Sequence, residues 1–175
     1  MVDQRTDLSG FIRSIPNWPK PGILFRDITP LLANHNALLA AVDELCADYH
    51  DAGIDAVAAV EARGFIFGTA VAERLAAGFI PIRKQGKLPY ETLSATYDLE
   101  YGTDTLEIHV DALAEGSQVL LVDDLLATGG TMAAACRLVE AVGGVVAGIS
   151  FLIDLEDLGG HAKLDGYRIS KVITY

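Results

Sequence analysis

The stretch that leaves this chain the fewest choices is residues 119–131, Val-Leu-Leu-Val-Asp-Asp-Leu-Leu-Ala-Thr-Gly-Gly-Thr. Four aliphatic residues in a row read as a strand buried on both faces, the signature of a parallel sheet covered by helices. Two carboxylates stand where that strand would end, followed by a short loop of Thr and Gly. Helical spacing then runs over residues 132–142 until Gly143 and Gly144 stop it. In an open α/β sheet, a loop at the carboxyl end of a parallel strand that opens into a helix is the usual ligand position. Glycines allow successive N–H groups to converge on one point. The helix N-terminus adds partial positive charge, and Thr128 and Thr131 add hydroxyl donors. The combination suits a phosphate monoester. Asp123 and Asp124 would repel that phosphate, so they are better used as acceptors for neutral sugar hydroxyls, or to reach a metal through water.

Glycines alone would say little, since most Gly-rich turns are only turns. No Walker lysine follows Gly130, and there is no G-x-G-x-x-G. The information lies in the order: aliphatic run, two Asp, two apolar residues, a small residue, then Thr-Gly-Gly-Thr. An ordinary strand–turn–helix with solvated Asp residues is the plain alternative.

The rest of the chain repeats this logic. Residues 56–60 form a second buried strand, with Glu61-Ala-Arg-Gly at its end and helical spacing over 65–77, closed by Gly78. A backbone loop with Arg63 beside it suits a second anion, the less favoured alternative being that Arg63 is a salt-bridged scaffold residue. Residues 79–83 give a third strand, then the charged run Lys84-Gln-Gly-Lys-Leu-Pro-Tyr-Glu. Residues 94–101 and 105–110 alternate like a solvent-facing hairpin turning near Gly102 and Thr103. Gly86, Pro89 and the charges at its base favour a lid over a plain surface excursion. Residues 145–153 and 167–175 read as two further strands, the last at a sheet edge. Towards the N-terminus a helix is expected over 8–14 and another over 35–49. Between them Pro16, Pro19 and Pro21 forbid regular structure. Phe25 there is either a packing residue or an aromatic face for a planar ligand, with Trp18 a packing anchor.

A chain of 175 residues fits one domain, 1–175, with a core that stands without staples. No apolar run is long enough to span a bilayer, and residues 1–13 lack the basic and apolar regions of a secretory signal. No membrane partner and a cytoplasmic location are the expectation. Cys46 and Cys136 fall in helical patterns and read as reduced core thiols rather than nucleophiles. His35, His50, His109 and His161 look isolated, with no metal-ligand spacing around them. A net charge of −11 argues against nucleic acid as a partner. An acidic chain that binds an anion must concentrate its cations, and Arg83, Lys84 and Lys87 are the obvious cluster.

With these pieces together, the chain resembles the type I phosphoribosyltransferases, and among them the branch that acts on adenine. The shared segments are Pro21-Gly-Ile-Leu-Phe-Arg-Asp-Ile, Glu61-Ala-Arg-Gly-Phe-Ile-Phe-Gly, Arg83-Lys-Gln-Gly-Lys-Leu-Pro, Leu99-Glu-Tyr-Gly-Thr-Asp-Thr-Leu-Glu-Ile and the opening stretch. They run in family order along nearly the whole chain. The resemblance implies an α/β fold of the type I phosphoribosyltransferase kind: a central, mostly parallel sheet flanked by helices. It adds a small hood at residues 1–34 that binds the base and a flexible lid hairpin at 84–106.

The activity so implied is purine salvage: transfer of ribose 5-phosphate from 5-phosphoribosyl-1-pyrophosphate (PRPP) to adenine, giving AMP and pyrophosphate, with Mg²⁺ as cofactor. Carried over by position, Asp123 and Asp124 hold the ribose hydroxyls. Ala127, Thr128, Gly129, Gly130 and Thr131 wrap the 5′-phosphate. Arg63, Arg83, Lys84 and Lys87 meet the pyrophosphate, with Arg63 and Lys87 counted as catalytic. Leu24, Phe25, Arg26 and Leu155 hold adenine. Glu100 and Tyr101, in the lid, cover the reacting bond, Glu100 as a catalytic carboxylate near the base. No protein ligand binds the metal directly; Mg²⁺ arrives with PRPP, reaching Asp123 or Asp124 through water. A homodimer is also implied.

Two positions bear on the base. Relatives that act on 6-oxopurines typically carry an Asp where this chain has Ala127, and xanthine-specific ones tend to carry Asn where it has Thr128. Neither is present, which favours a 6-aminopurine. A PRPP-sensing regulator without turnover is the competing class, but it would need a DNA-binding module or a basic face, and the chain offers room for neither.

Overall fold

The structure, a computed structural model, describes residues 7–98 and 102–175. The chain divides into two compact units, Met1–Glu44 and Leu45–Tyr175.

The first unit departs from the sequence reading twice. In place of a helix over 8–14 there is one 3-10 turn, Leu8–Phe11, capped by Asp7, whose carboxylate accepts from Ser9 N at 3.1 Å. Ser9 and Gly10 are weak helix formers, and the chain leaves the turn extended. The prolines do not abolish regular structure either. Strand β1 (Arg13–Pro16) pairs antiparallel with β2 (Leu24–Asp27), Ile15 opposite Phe25. Pro16 is the last residue of its strand in a two-stranded ribbon, a place where a missing N–H is tolerated. Asn17 closes the turn by accepting from Gly22 N at 2.9 Å, and Trp18 packs edge-on against Phe25, centroids 4.4 Å apart. Helix α1 (Thr29–Ala33) starts on Asp27, which accepts from the Thr29 amide and hydroxyl, both at 2.9 Å. Helix α2 (His35–Cys46), begun by Asn34 Oδ1 accepting from Ala37 N at 3.0 Å, carries the chain into the second unit.

The second unit is built on a seven-stranded sheet. Its strands are β3 (Ala56–Val60), β4 (Gly78–Lys84), β5 (Thr92–Asp98), β6 (Thr103–His109), β7 (Gln118–Leu126), β8 (Val145–Asp154) and β9 (Ile169–Thr174). They lie in the order β5-β6-β4-β3-β7-β8-β9. From β4 to β9 every pair is parallel, as the aliphatic runs require; β6 joins β4, and β5 joins β6, antiparallel. All of β3 is buried. Helices α3 (Gly64–Arg74) and α4 (Gly130–Ala141) cover opposite faces. On one face Ala59 meets Gly68 of α3, so closely that a side chain on Gly68 would collide with it. On the other, Ala58, Val60, Val119 and Leu121 share a core with Met132, Ala135, Cys136 and Val139 of α4.

The hairpin is less solvent-facing than its alternation suggested. Leu106 and Ile108 of β6 are fully buried in the α4-side core, because Arg83 and Lys84 pair with Glu107 and Leu106 and extend the sheet. Cys46 and Cys136 are free and buried. Among the described residues, no helix is long and apolar enough to cross a membrane.

Candidate active site

Because β3 and β7 are adjacent and parallel, the loops that follow them lie side by side at the carboxyl edge of the sheet. Between them is a cavity of about 470 Å³, lined by Glu61 to Arg63 of the first loop, residues 123–132 of the second, Lys84, Val60 and Phe151. The structure thus brings Asp123, Asp124, Ala127, Thr128, Gly129, Gly130, Thr131, Arg63 and Lys84 around one cavity.

The 127–131 loop is shaped by its glycines. Gly129 has φ +75°, and a Cβ there would lie 3.2 Å from the Cα of Gly160 and overlap its carbonyl oxygen, so only glycine fits. Gly129 is the N-cap of α4, and no side chain caps this helix. Its first-turn N–H groups, which have no intrahelical acceptor, are left to whatever enters the cavity.

The two carboxylates beside that loop are poorly satisfied. Asp124 is buried, and its Oδ2 lies 3.0 Å from Arg63 Nε. The approach is too oblique for a hydrogen bond, and among the described residues that oxygen has no hydrogen-bond partner. Asp123 Oδ1 accepts from Asp124 N at 2.9 Å. Burial, and then the neighbouring charge of Asp124, push the Asp123 carboxyl well above the ordinary range. Burial raises Asp124 too, with Arg63 opposing. A buried carboxylate oxygen without a donor is costly and is rarely kept without a use. Hydroxyl donors, or the waters of a hydrated cation, would satisfy it.

The cation cluster spans two recesses. Lys84 lines the cavity and pairs with Asp104 at 3.0 Å. Arg83 and Lys87 instead line a second recess of about 380 Å³ with Phe65, Ala62, Glu61 and Lys84. Both are held by Glu61: Arg83 Nε to Oε2 at 2.8 Å and Lys87 Nζ to Oε1 at 3.1 Å. Lys84 borders both recesses, so the three cations meet at the second. Burial pushes Glu61 up, but the bonds from Arg83 and Lys87 outweigh it and hold its carboxyl below the usual range.

Leu155 directly follows β8, its N–H donating to Leu126 O at 3.0 Å. Leu24, Phe25 and Arg26 lie on β2 in the first unit. Glu100 and Tyr101 lie outside the described residues. Sequence reasoning missed one group. His161 is not isolated: its Nε2 lies 2.8 Å from Oδ2 of Asp154, and Lys171 Nζ lies 2.8 Å from the same oxygen. The available signal was Asp154 itself, a carboxylate closing a buried strand, which needs a partner.

Comparison with known proteins agrees with this geometry. The model of the phosphoribosyl transferase domain matches residues 31–171, and the chain belongs to that family. Its relatives narrow the class. It is 57% identical over 172 residues to the adenine phosphoribosyltransferase of Rhodopirellula baltica, covering 98% of this chain and 84% of that one. It is 58% identical over 158 residues to that of Bradyrhizobium sp. (strain ORS 278), covering 90% and 88%. Among solved structures, the adenine phosphoribosyltransferase of Thermoanaerobacter pseudethanolicus superposes with a TM-score of 0.91 at 53% identity, over 96% of this chain and 98% of that one. The Saccharomyces cerevisiae enzyme, complexed with an imino-altritol bisphosphate and adenine, gives 0.90 at 38% identity, over 94% and 96%. It is among the adenine phosphoribosyltransferases that this chain finds its likeness.

Proposed function

We infer that the chain transfers ribose 5-phosphate from PRPP to adenine, forming AMP and pyrophosphate. The observation that carries this is the buried oxygen of Asp124, without a hydrogen-bond donor among the described residues, beside a glycine-shaped helix N-terminus that none of their side chains caps. One half of that site wants hydroxyl hydrogens and the other wants an anion, and a ribose 5-phosphate presents both at the spacing of one sugar.

In this reading the 127–131 loop grips the 5′-phosphate while Asp123 and Asp124 accept from the ribose hydroxyls. Arg63 and Lys84 face the leaving pyrophosphate from the cavity wall. N9 of adenine forms its bond to the anomeric carbon as the bond from that carbon to the pyrophosphate oxygen breaks, and the N9 proton passes to a carboxylate, for which the family resemblance offers Glu100. Positive charge builds on the sugar and negative charge on the leaving group. Cations fixed at the leaving group stabilise the second, and the carboxylates under the ribose favour the first. Mg²⁺ bound with PRPP would neutralise the pyrophosphate further. The donor set suits it through water: hard carboxylate oxygens at Asp123 and Asp124, one of them without a donor. Arg83 and Lys87 bear on the pyrophosphate only by exchanging Glu61 for it.

Leu24, Phe25, Arg26 and Leu155 are the adenine contacts in this proposal, with Glu100 and Tyr101 closing over the reacting bond to exclude water. Ala127 offers no carboxylate to a 6-oxopurine, which supports the 6-aminopurine. The family resemblance also supports a cytoplasmic homodimer with a 1–34 hood and an 84–106 lid. The test is a panel of adenine, hypoxanthine, guanine and xanthine with PRPP and Mg²⁺, scored by pyrophosphate release. Adenine is expected to exceed the others at least a hundredfold in kcat/KM, on the order seen where polar groups read a base edge. Equal turnover of hypoxanthine would remove the adenine assignment.

A further inference from the structure

We propose that His161 is a positioning residue for the phosphate loop: by bonding Asp154, it clamps the turn at residues 159–163 against the backbone of residues 127–129. The inference rests on the reading of that loop as the 5′-phosphate grip.

Asp154 is the last residue of β8, 1% exposed, and stands opposite Leu126 in register, where the loop begins. Its Oδ2 takes two donors, from different elements. Lys171 belongs to the edge strand β9 and also reaches Glu156 at 2.5 Å; His161 belongs to the turn. Burial pushes Asp154 up, but Lys171 and His161 hold its carboxyl below the ordinary range.

The turn itself is weak. Gly159, at φ +66°, reverses the chain, and a short 3-10 segment, Gly160–Lys163, follows. Such segments carry poor hydrogen-bond geometry and little stability of their own. Yet at Gly160 the backbone of the turn lies directly against the backbone of the loop, with the Leu126 side chain alongside. A Cβ on Gly160 would overlap Ala127 O and lie 2.8 Å from Leu126 Cδ1, and Gly129 is equally tight against Gly160 in return. Backbone in contact with backbone has no side chain to absorb a shift, so any movement of Gly160 is passed to Gly129, the N-cap of α4. His161, the next residue, fixes Gly160 to a rigid strand end. Preorganised N–H groups lose their value when displaced by a fraction of an ångström.

The two partners of Asp154 therefore separate on mutation. Losing Lys171 should loosen β9, and losing His161 should loosen the loop. Full-length protein is titrated calorimetrically with ribose 5-phosphate, and separately with pyrophosphate plus magnesium. His161→Ala is expected to weaken ribose 5-phosphate binding about tenfold and leave pyrophosphate unchanged. His161→Gln, which keeps an N–H donor, should recover most of the loss. Lys171→Ala should lower Tm without weakening ribose 5-phosphate. Unchanged ribose 5-phosphate binding in His161→Ala overturns the proposal, as does equal weakening of both ligands or no recovery in His161→Gln. Wild-type protein that fails to bind ribose 5-phosphate overturns the phosphate reading itself, and the clamp with it.

Discussion

Two loops leave the carboxyl edge of the sheet from neighbouring strands, one after β3 and one after β7, and they treat their acidic residues in opposite ways. Glu61 has a cation on each oxygen, and its carboxyl is held below the usual range. Asp123 and Asp124 crowd each other, and burial pushes both carboxyls up; Oδ2 of Asp124 has Arg63 Nε 3.0 Å away but accepts no hydrogen bond from the described residues. Residue type and place in the fold are nearly the same, so neither explains the difference. Satisfaction does. A carboxylate whose donors come from its own chain has finished its work at folding. A carboxylate left short of donors destabilises the fold, and where it also faces a cavity it is open to a ligand.

That contrast predicts its largest effect at β7. Asp124→Ala and Asp123→Asn should each lower kcat/KM for PRPP about 10³-fold, about 4 kcal/mol of transition-state stabilisation. Asp123→Asn should at the same time melt no lower than the parent at pH 7, and a few degrees higher. The sign follows from the raised carboxyl. Such a group takes up a proton more readily folded than unfolded, so it favours the native state at low pH. That advantage is lost as pH rises from the ordinary carboxylate range through the folded value. Removing the charge restores it at neutral pH. A variant that loses activity and also several degrees in thermal melting would place Asp123 with Glu61, as a structural acid.

A smaller effect is expected where the two loops touch. A Cβ on Gly64, the first residue of α3, would stand 2.8 Å from Asp123 Oδ1 and 3.3 Å from Val122 O. The nearer atom belongs to a short side chain and the other to backbone of a central strand, so Asp123 must turn aside. Gly64→Ala is expected to cost about 10- to 100-fold in kcat/KM for PRPP, the scale of an ångström's misplacement, with folding retained. Steady-state kinetics within twofold of the parent would mean that the orientation of Asp123 does not matter.

These contacts mark the limit of what could be read without coordinates. The β7 loop was legible because strand, carboxylates, glycines and helix are contiguous, and each acts within a few residues of itself. The sheet was legible for the same reason, since aliphatic runs such as Val119 to Val122 are local signals of burial. Pairings across the sheet were not. Arg83 and Lys84 are neighbours in sequence and do share a recess, but that Glu61 holds the first and Asp104 the second was not legible. His161 looked isolated because its carboxylate lies across a turn, at the end of β8. The β1–β2 ribbon was missed because proline rules describe the chain's local preferences and not which edge a strand ends on.

The smallest effect, and the one that tests the contrast from its other side, belongs to Glu61→Gln. The amide keeps the shape and one acceptor oxygen but loses the charge that two cations share. The side chain is 7% exposed while its partners are about a third to a half exposed, so much of the pairing is screened by solvent. Losing it should cost about 1–2 kcal/mol, read as a fall of about 2–8 °C in Tm at pH 7. Because the Glu61 carboxyl is lowered on folding, its contribution is present above the ordinary carboxylate range and lost as pH falls through the folded value. The melting deficit of Glu61→Gln should therefore shrink on acidification, just as the melting gain of Asp123→Asn should; the two variants differ in the sign of their effect at pH 7. Activity should stay within about fivefold, with the freed Arg83 and Lys87 strengthening rather than weakening pyrophosphate binding. If Glu61→Gln instead abolishes turnover at unchanged Tm, the acid after β3 is as much a part of the chemistry as those after β7. Satisfaction by partners would then not be the property that separates the two loops.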